Sequence, residues 1–176
     1  MKFKAYVRFF TIAILVIALD QWTKSLVREM PLYSIWLPEG MEWLQPYARV
    51  IHSYNTGAAF GSFENLGVLF ALLAVVVAGL LVYYLPSVAG DNVWMQIAMG
   101  LQLGGALGNV IDRLLFDMRV TDFISVGNFA IFNIADSGIT VGTTILVIGL
   151  FIMERKAKSA DKLTEQEGSE DQIDGQ

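Results

Sequence analysis

Residues 132–153 read FNIADSGITVGTTILVIGLFIM, a stretch that is apolar for most of its length and carries one acid, Asp136, near its start. No charged residue lies between Asp136 and Glu154, a gap of 17 residues, and a helix needs about 20 apolar residues to cross a bilayer. Ionisable residues at membrane depth are costly and usually functional. The stretch therefore predicts a membrane-spanning helix that begins beside a functional acid.

Three further apolar stretches predict three more membrane-spanning helices. Uncharged gaps of 26 and 20 residues separate Glu64 from Asp91 and Asp91 from Asp112. Only 16% of all residues are charged, whereas a soluble domain has about a quarter charged. We therefore predict an all-α polytopic membrane protein with four transmembrane helices and a small β-sheet on the outer leaflet. The predicted spans are about 6–27, 66–85, 93–111 and 137–153.

The segment 161–176 differs in composition from the rest of the chain. It holds six acids and one lysine, a net charge of −5 that equals the charge of the whole chain. With so few apolar residues it predicts a disordered acidic tail, which leaves 1–160 as a single transmembrane domain. Lys and Arg flank the first and last spans, so we expect both termini in the cytoplasm. The first apolar run ends at Asp20 and not at a small-residue cleavage site, so we expect a retained span.

Two outer segments, residues 29–65 and 114–136, connect the spans on the side away from the cytoplasm. The first contains YSIWL (33–37) and ARVIHSYN (48–55), whose β-branched and aromatic residues predict short strands. Its Trp and Tyr residues favour the membrane interface. We therefore expect a small sheet that lies on the outer leaflet.

Asp122 and Asp136 are the carboxylates that the sequence singles out for chemistry. Asp136 also has a structural interpretation, because an aspartate at a helix start caps free N–H groups. If the 13 residues between the two acids fold back as a hairpin, the acids meet near the outer surface. Two carboxylates in contact share one proton. Such a pair can activate a water while it protonates a carbonyl, which is aspartic-protease chemistry.

Other polar residues at membrane depth have structural or supporting interpretations. Asp20 and Lys24 are four apart on one helical face, in the order that favours an ion pair. Asn109, Asp112 and Arg113 lie together at the end of the third span, and Arg113 is also long enough to reach the interface. We expect these residues to find partners inside the protein.

The third span contains GLQLGGALGNVIDR (100–113), which has four glycines. Small residues let helices approach closely in a bilayer, so we expect this face to press against a neighbouring helix. The absence of cysteine excludes a thiol nucleophile, a disulfide and a cysteine metal site. His52 is the only histidine and has a structural interpretation, which makes a metal centre a weak case. We expect no metal, no cofactor and no nucleic-acid partner.

Five strings together resemble the lipoprotein signal peptidase (signal peptidase II) family, and they occur in that family's order over about residues 5 to 155. The strings are DQWTK (20–24), NTGAAFG (55–61), GGALGNVIDR (104–113), VTDFI (120–124) and FNIADSGI (132–139). The resemblance implies an aspartic endopeptidase of the bacterial plasma membrane that removes signal peptides from prolipoproteins. It implies cleavage just before a cysteine that carries a diacylglyceryl group.

Residue by residue, the resemblance implies that Asp122 and Asp136 are the catalytic dyad. The residues that it implies for substrate binding or support of the dyad are Asn55, Asn109, Asp112, Arg113 and Asn133. The positions with an implied structural role are Asp20, Lys24, Gly57, Gly105 and Gly108. The implied partners are prolipoprotein substrates and membrane lipids, with no cofactor, and we expect a monomer.

Two alternatives stay open. A small transporter or proton-relay protein would use Asp20, Asp112, Asp122 and Asp136, but a relay needs acids spread through the membrane depth and these lie toward one side. A non-catalytic scaffold would leave Asp122 and Asp136 replaceable. The turn LLFDMRV (114–120) departs from the family pattern, because it has no glycine and is one residue longer.

Overall fold

The computed structural model describes residues 2–57 and 66–174, and this part of the chain consists of four helices and a small sheet. The helices are α1 (Lys2–Arg28), α2 (Gly67–Val88), α3 (Val93–Leu115) and α4 (Ile134–Asp174). The strands are β1 (Ile35–Trp36), β2 (Ala48–Asn55) and β3 (Val120–Val126), with a short 3-10 helix at Glu42–Leu44. Each of the four predicted spans corresponds to one helix.

α4 differs most from its predicted extent. It begins at Ile134 and continues to Asp174, whereas we predicted a span over 137–153 and a disordered tail over 161–176. The physical reason lies in the composition, because the Lys, Glu and Gln residues of the tail have favourable helix propensities. The division into a membrane domain and a tail stays a prediction.

Two of the described helices are long and apolar enough to cross a membrane, α2 and the Ile134–Lys156 part of α4. Most of their apolar side chains are exposed, as Leu72 at 61% and Val147 at 60% illustrate. Exposed apolar surface on this scale is rare on soluble monomers and typical of helices that contact lipid. α2 passes its predicted end at Pro86, because a proline in the last turn removes only one backbone hydrogen bond.

α3 lies at the centre of the helices and packs against the other three. Its glycines permit the close approach. A Cβ at Gly104 would lie 2.7 Å from the carbonyl oxygen of Ala13 in α1, and one at Gly105 would overlap the carbonyl oxygen of Ala135 in α4. The prediction that this face presses against a neighbouring helix is confirmed.

The three strands form an antiparallel sheet in the order β1–β2–β3. β1 and β2 fall in the two stretches that predicted strands, but β3 comes from the second outer segment and pairs with β2 through Ser53–Asp122 and Asn55–Val120. The register shifts between Val50 and Ser53, where two residues of β2 face one residue of β3. Such bulges often occur beside active sites and re-aim a side chain. The sheet therefore places Asp122 next to an irregular point.

Candidate active site

A cavity of about 560 Å³ opens between the sheet and the ends of α3 and α4. Phe70, Phe129 and Val141 contribute to its mostly apolar wall. The polar residues in the wall are Asn55, Asn109, Arg113, Asp122, Asp136, Ser137 and Thr140. A largely apolar cavity with a few convergent polar groups is the usual form of a ligand site.

Asp122 and Asp136 both line this cavity, from β3 and from the first turn of α4. Asp122 is buried at 3% exposure, and Asp136 is half-buried. The chain between them folds back, because the backbone N–H of Ile124 donates to Phe132 O at 2.7 Å and the N–H of Phe132 donates to Ile124 O at 3.0 Å. The structure thus brings together the two acids that we expected to meet through a hairpin.

Asn133 connects the two carboxylates. Its Nδ2 donates to Asp122 Oδ1 at 2.7 Å, and its backbone N–H donates to Asp136 Oδ2 at 3.3 Å. Its own Oδ1 accepts the backbone N–H of Asp136 at 2.9 Å. This reciprocal pattern is a capping box at the start of α4, with Asn133 as the cap and Asp136 three residues later. Asp136 therefore takes part in the cap of α4 and lines the cavity at the same time.

Two more amides hold the other carboxylate oxygens. Asn109 Nδ2 donates to Asp136 Oδ1 at 2.7 Å, and Asn55 Nδ2 donates to Asp122 Oδ2 at 3.1 Å. Among the described residues, neither carboxylate forms a salt bridge. Burial raises the pKa of Asp122 to about 7, the charge of Asp136 adds to this rise, and the hydrogen bonds from Asn55 and Asn133 oppose it. Asp122 can therefore hold a proton at neutral pH.

Arg113 brings a positive charge to the cavity wall. It lies one turn after Asn109 on α3 and is 8% exposed. Its hydrogen bonds are long, 3.4 Å from Nη2 to Gly57 O and 3.5 Å from Nη1 to Asn109 O, and its Nε has no partner among the described residues. A buried guanidinium with spare donors can bind a carbonyl oxygen by charge-assisted hydrogen bonds.

Asp20, Lys24 and Asp112 lie outside the cavity, fully buried between α1 and α3. Lys24 Nζ is 2.8 Å from Asp20 Oδ2 and 3.4 Å from Asp112 Oδ2, and it donates to Asn109 Oδ1 at 3.0 Å. Arg28 Nη2 pairs with Asp112 Oδ1 at 2.7 Å. We call Asp20, Lys24, Arg28 and Asp112 the ion cluster. The expected Asp20–Lys24 pair is present, and Lys24 also reaches the active-site asparagine Asn109.

Sequence reasoning missed three members of this network, Gln21, Arg28 and Thr121. Gln21 Nε2 donates to Asp112 Oδ1 at 2.9 Å, and the backbone N–H of Thr121 donates to Asp112 Oδ2 at 2.8 Å. The available signal was the spacing of Asp20, Lys24 and Arg28, which recur every four residues and therefore share one face of α1.

The predicted glycine positions have identifiable contacts. The N–H of Gly57 donates to Asn55 Oδ1 at 2.9 Å, which helps to orient that amide toward Asp122. A Cβ at Gly108 would lie 2.8 Å from Asp20 Oδ2, so only glycine leaves room for that carboxylate. Residues 58–61 of the NTGAAFG string lie outside the described residues.

Comparison with known proteins identifies relatives over most of the chain. Residues 12–152 match the family described as Signal peptidase (SPase) II. The lipoprotein signal peptidase of Shouchella clausii is 38% identical over 154 residues, which cover 87% of this chain and 99% of that protein. The lipoprotein signal peptidase of Pseudomonas aeruginosa is 37% identical over 161 residues, which cover 85% of this chain and 90% of that protein.

Two solved structures share the fold. Both are described as bacterial membrane enzymes determined by the in meso method, at 2.3 and 1.9 Å resolution. The first has a TM-score of 0.74 and 32% identity, and the alignment covers 81% of this chain and 87% of that one. The second has a TM-score of 0.71 and 33% identity, over 81% of this chain and 91% of that one.

Proposed function

The chain belongs to the signal peptidase II family and removes signal peptides from prolipoproteins, and we propose that it is an aspartic endopeptidase with Asp122 and Asp136 as its catalytic pair. The observation that carries this proposal is the pair of carboxylates in one cavity, joined by Asn133 and held by neutral amides. Neutral donors orient a carboxylate without neutralising it, so the pair keeps its acid–base chemistry.

The two acids then divide the proton transfers. Asp122 carries the shared proton, because burial raises its pKa to about 7. Asp136 removes a proton from a water between the two carboxyl groups, and the water oxygen attacks the scissile carbonyl carbon while Asp122 protonates the carbonyl oxygen. The proton on Asp136 passes to the leaving nitrogen, and the carbonyl that re-forms returns its proton to Asp122. The pair ends in its starting state.

Arg113 and the apolar wall hold the substrate in this scheme. The spare guanidinium donors of Arg113 bind a substrate carbonyl near the scissile bond. Phe70, Phe129 and Val141 supply apolar surface next to the two acids. This surface suits a substrate whose cleavage site precedes a diacylglyceryl-modified cysteine, because the acyl chains and the peptide must both reach the carboxylates.

All four helices span the membrane in the proposed topology, and the sheet lies on the outer leaflet. Three observations support it: the exposed apolar faces of α2 and α4, the two outer segments on one side, and the exposed aromatic residues of the first outer segment. These aromatic residues are Tyr33, Trp36, Trp43 and Tyr47. Both termini then face the cytoplasm, the active site lies near the outer surface, and the enzyme works as a monomer among lipids.

The absence of cysteine makes this topology testable by single-cysteine labelling. Glu39→Cys should react in intact cells with a membrane-impermeant maleimide, and Asp91→Cys should react only after the membrane is opened. The reverse pattern, or equal labelling of both positions in intact cells, would overturn the proposed orientation.

The catalytic proposal is tested with the purified full chain in lipid vesicles and a prolipoprotein with or without its diacylglyceryl group. We expect cleavage only of the modified precursor, with the new N-terminus at the lipidated cysteine. Asp122→Asn and Asp136→Asn should leave it uncut while the protein stays folded. Normal cleavage by either variant would remove that residue from the catalytic pair.

The alternative of a transporter or proton relay is not favoured. Asp20 and Asp112 are paired with the cations Lys24 and Arg28. Acids that are held in salt bridges do not readily take up and release protons. The four acids that a relay would use therefore divide into a salt-bridged pair, Asp20 and Asp112, and a cavity pair, Asp122 and Asp136.

A further inference from the structure

Arg28, the last residue of α1, contacts three other parts of the molecule with one guanidinium. Its Nη2 donates to Asp112 Oδ1 in α3 at 2.7 Å, and its Nε donates to Thr121 Oγ1 in β3 at 2.9 Å. The guanidinium carbon also lies 3.9 Å from the ring centroid of Phe116, the residue that follows α3. Only 16% of the Arg28 side chain is exposed, and it does not line the cavity.

Thr121 immediately precedes Asp122 and is held from two directions. Its side-chain oxygen accepts from Arg28, and its backbone N–H donates to Asp112 Oδ2 at 2.8 Å. Successive side chains of a strand point to opposite faces. When Thr121 is fixed toward α1 and α3, Asp122 is directed toward the cavity. We call Arg28, Asp112 and Thr121 the strand clamp.

The chain around Asp122 needs such a clamp, because its local backbone is irregular on both sides. The register of β2 against β3 shifts between Val50 and Ser53, and Ser53 is the residue that faces Asp122. The turn before β3 contains Asp117 at φ 51° and Met118 at φ 60°, a left-handed conformation that residues other than glycine rarely adopt. Asp122 therefore lies between a register shift of the sheet and a left-handed turn.

The precision required at Asp122 is high. Asn133 Nδ2 has two hydrogens and three acceptors within reach, at 2.7 Å to Asp122 Oδ1, 3.2 Å to Asn109 Oδ1 and 3.4 Å to Thr121 O. A small shift of β3 would change which acceptors it serves. That shift would alter the link between the two carboxylates, and a misplacement of about 1 Å can lower a catalytic rate by 10²-fold.

We propose that Arg28 is a positioning residue for catalysis, which acts through Asp112 and Thr121 to fix the strand that carries Asp122. This inference rests on the proposed function of Asp122. Arg28 has no contact with the cavity, so its effect falls on the rate of the chemical step and not on substrate binding. Arg28 and Thr121 share one hydrogen bond, so the loss of either side chain should lower the same rate.

The test is a double-mutant cycle of Arg28→Met and Thr121→Val in the purified full chain, with kcat and KM measured on the lipid-modified precursor. We expect each single variant to lower kcat by about 10-fold with KM unchanged. The double variant should be no slower than the slower single variant, because contacting residues are not additive. Arg28→Lys keeps the charge opposite Asp112 but loses the Nε donor, so it should recover only part of the rate.

Arg119→Met is the matched control. Arg119 lies in the turn before β3, but its contacts are with Asp117 and the ring of Tyr54 and not with Thr121. It should keep the wild-type kcat. The proposal is overturned if folded Arg28→Met keeps the wild-type kcat, if the two effects add, if KM alone rises, or if Arg119→Met is equally slow. If Arg28→Met does not fold, Thr121→Val decides, because valine has the shape of threonine. Failure of the proposed function would give a different result. In that case the wild-type enzyme would not cleave the modified precursor, or Asp122→Asn would still cleave it.

Discussion

Two groups of buried acids lie on either side of Asn109, and their partners differ. In the ion cluster, Asp20 and Asp112 are held by Lys24 and Arg28 and do not line the cavity beside Asp122. In the candidate active site, Asp122 and Asp136 are held by asparagine amides and line a cavity. Asp20, Asp112 and Asp122 are buried and Asp136 is half-buried, so the clearest difference between the two groups lies in their partners.

The comparison shows how one fold uses carboxylates for two purposes. A cation beside a buried carboxylate favours its charged form and helps to fix the helices around it, and removal of either partner is strongly destabilising. A buried carboxylate beside neutral amides and a second carboxylate retains a proton near neutral pH. Asn109 belongs to both groups, because it accepts from Lys24 and donates to Asp136. The ion cluster thereby supports the orientation of the active site.

The largest expected effect separates the two groups by activity. Asp136→Asn removes one member of the proposed catalytic pair and should lower kcat by roughly 10²–10⁴-fold, the usual contribution of a positioned acid or base. Its melting temperature should stay close to that of the wild type, since the amide still accepts one hydrogen bond. Asp91→Asn, in the loop between α2 and α3, is the control and should change neither quantity. Full activity of Asp136→Asn would contradict the distinction between structural acids in the ion cluster and catalytic acids in the cavity.

The second largest expected effect is on stability, and it distinguishes the ion cluster from the acids that line the cavity. Lys24→Met leaves Asp20 and Asp112 without their shared cation and should destabilise the protein by about 3–5 kcal/mol. The measurement is thermal unfolding in detergent, compared with Lys158→Met, whose exposed pair with Glu154 should contribute little. An unchanged melting temperature for Lys24→Met would mean that the ion cluster does not hold α1 against α3.

Asn133 is expected to show an intermediate effect on both quantities. Asn133→Ala removes the donor to Asp122, and hydrogen bonds to charged groups contribute about 1.5–3 kcal/mol, so kcat should fall by roughly 10- to 10²-fold. Asn92 caps α3 in the same way but lies far from the cavity lining, so Asn92→Ala is the matched control for loss of a helix cap. Equal activity of Asn133→Ala and Asn92→Ala would mean that Asn133 acts only as a helix cap.

The smallest effect concerns pH. Since the pKa of Asp122 is raised to about 7, kcat/KM should fall as the pH rises through about 7 and the shared proton is lost. Asn55 stabilises the ionised form of Asp122, so Asn55→Ala should move this alkaline limb to higher pH. A limb that stays in place, or moves to lower pH, would show that the titrating group is not Asp122.

The sequence predicted those features that depend on local pattern. Uncharged gaps predicted three of the four helices, and glycine spacing predicted the close face of α3. The VTDFI and FNIADSGI strings pointed to Asp122 and Asp136 as the candidate pair. The acids line one cavity because the chain between them folds back through the Ile124–Phe132 bridge.

The features that the sequence did not predict depend on contacts between distant residues. Arg28 and Asp112 are separated by 84 positions, and Arg28 and Thr121 by 93. Periodicity indicates which face of α1 is buried, but not which groups of another helix or strand lie opposite. The pairing of β3 with β2 was not predicted for the same reason. The residue pattern of a segment indicates that it forms a strand, but not which other strand it pairs with.

The central claim is that Asp122 holds the proton that the catalytic pair shares. Infrared spectroscopy of the protonated carboxyl band, followed against pH in the wild type and in Asp122→Asn, tests it most directly. We expect a band that disappears with a midpoint near pH 7 in the wild type and is missing from the variant. A band that is unchanged in Asp122→Asn, or a wild type that shows no carboxyl titration between about pH 6 and 8, would contradict the account.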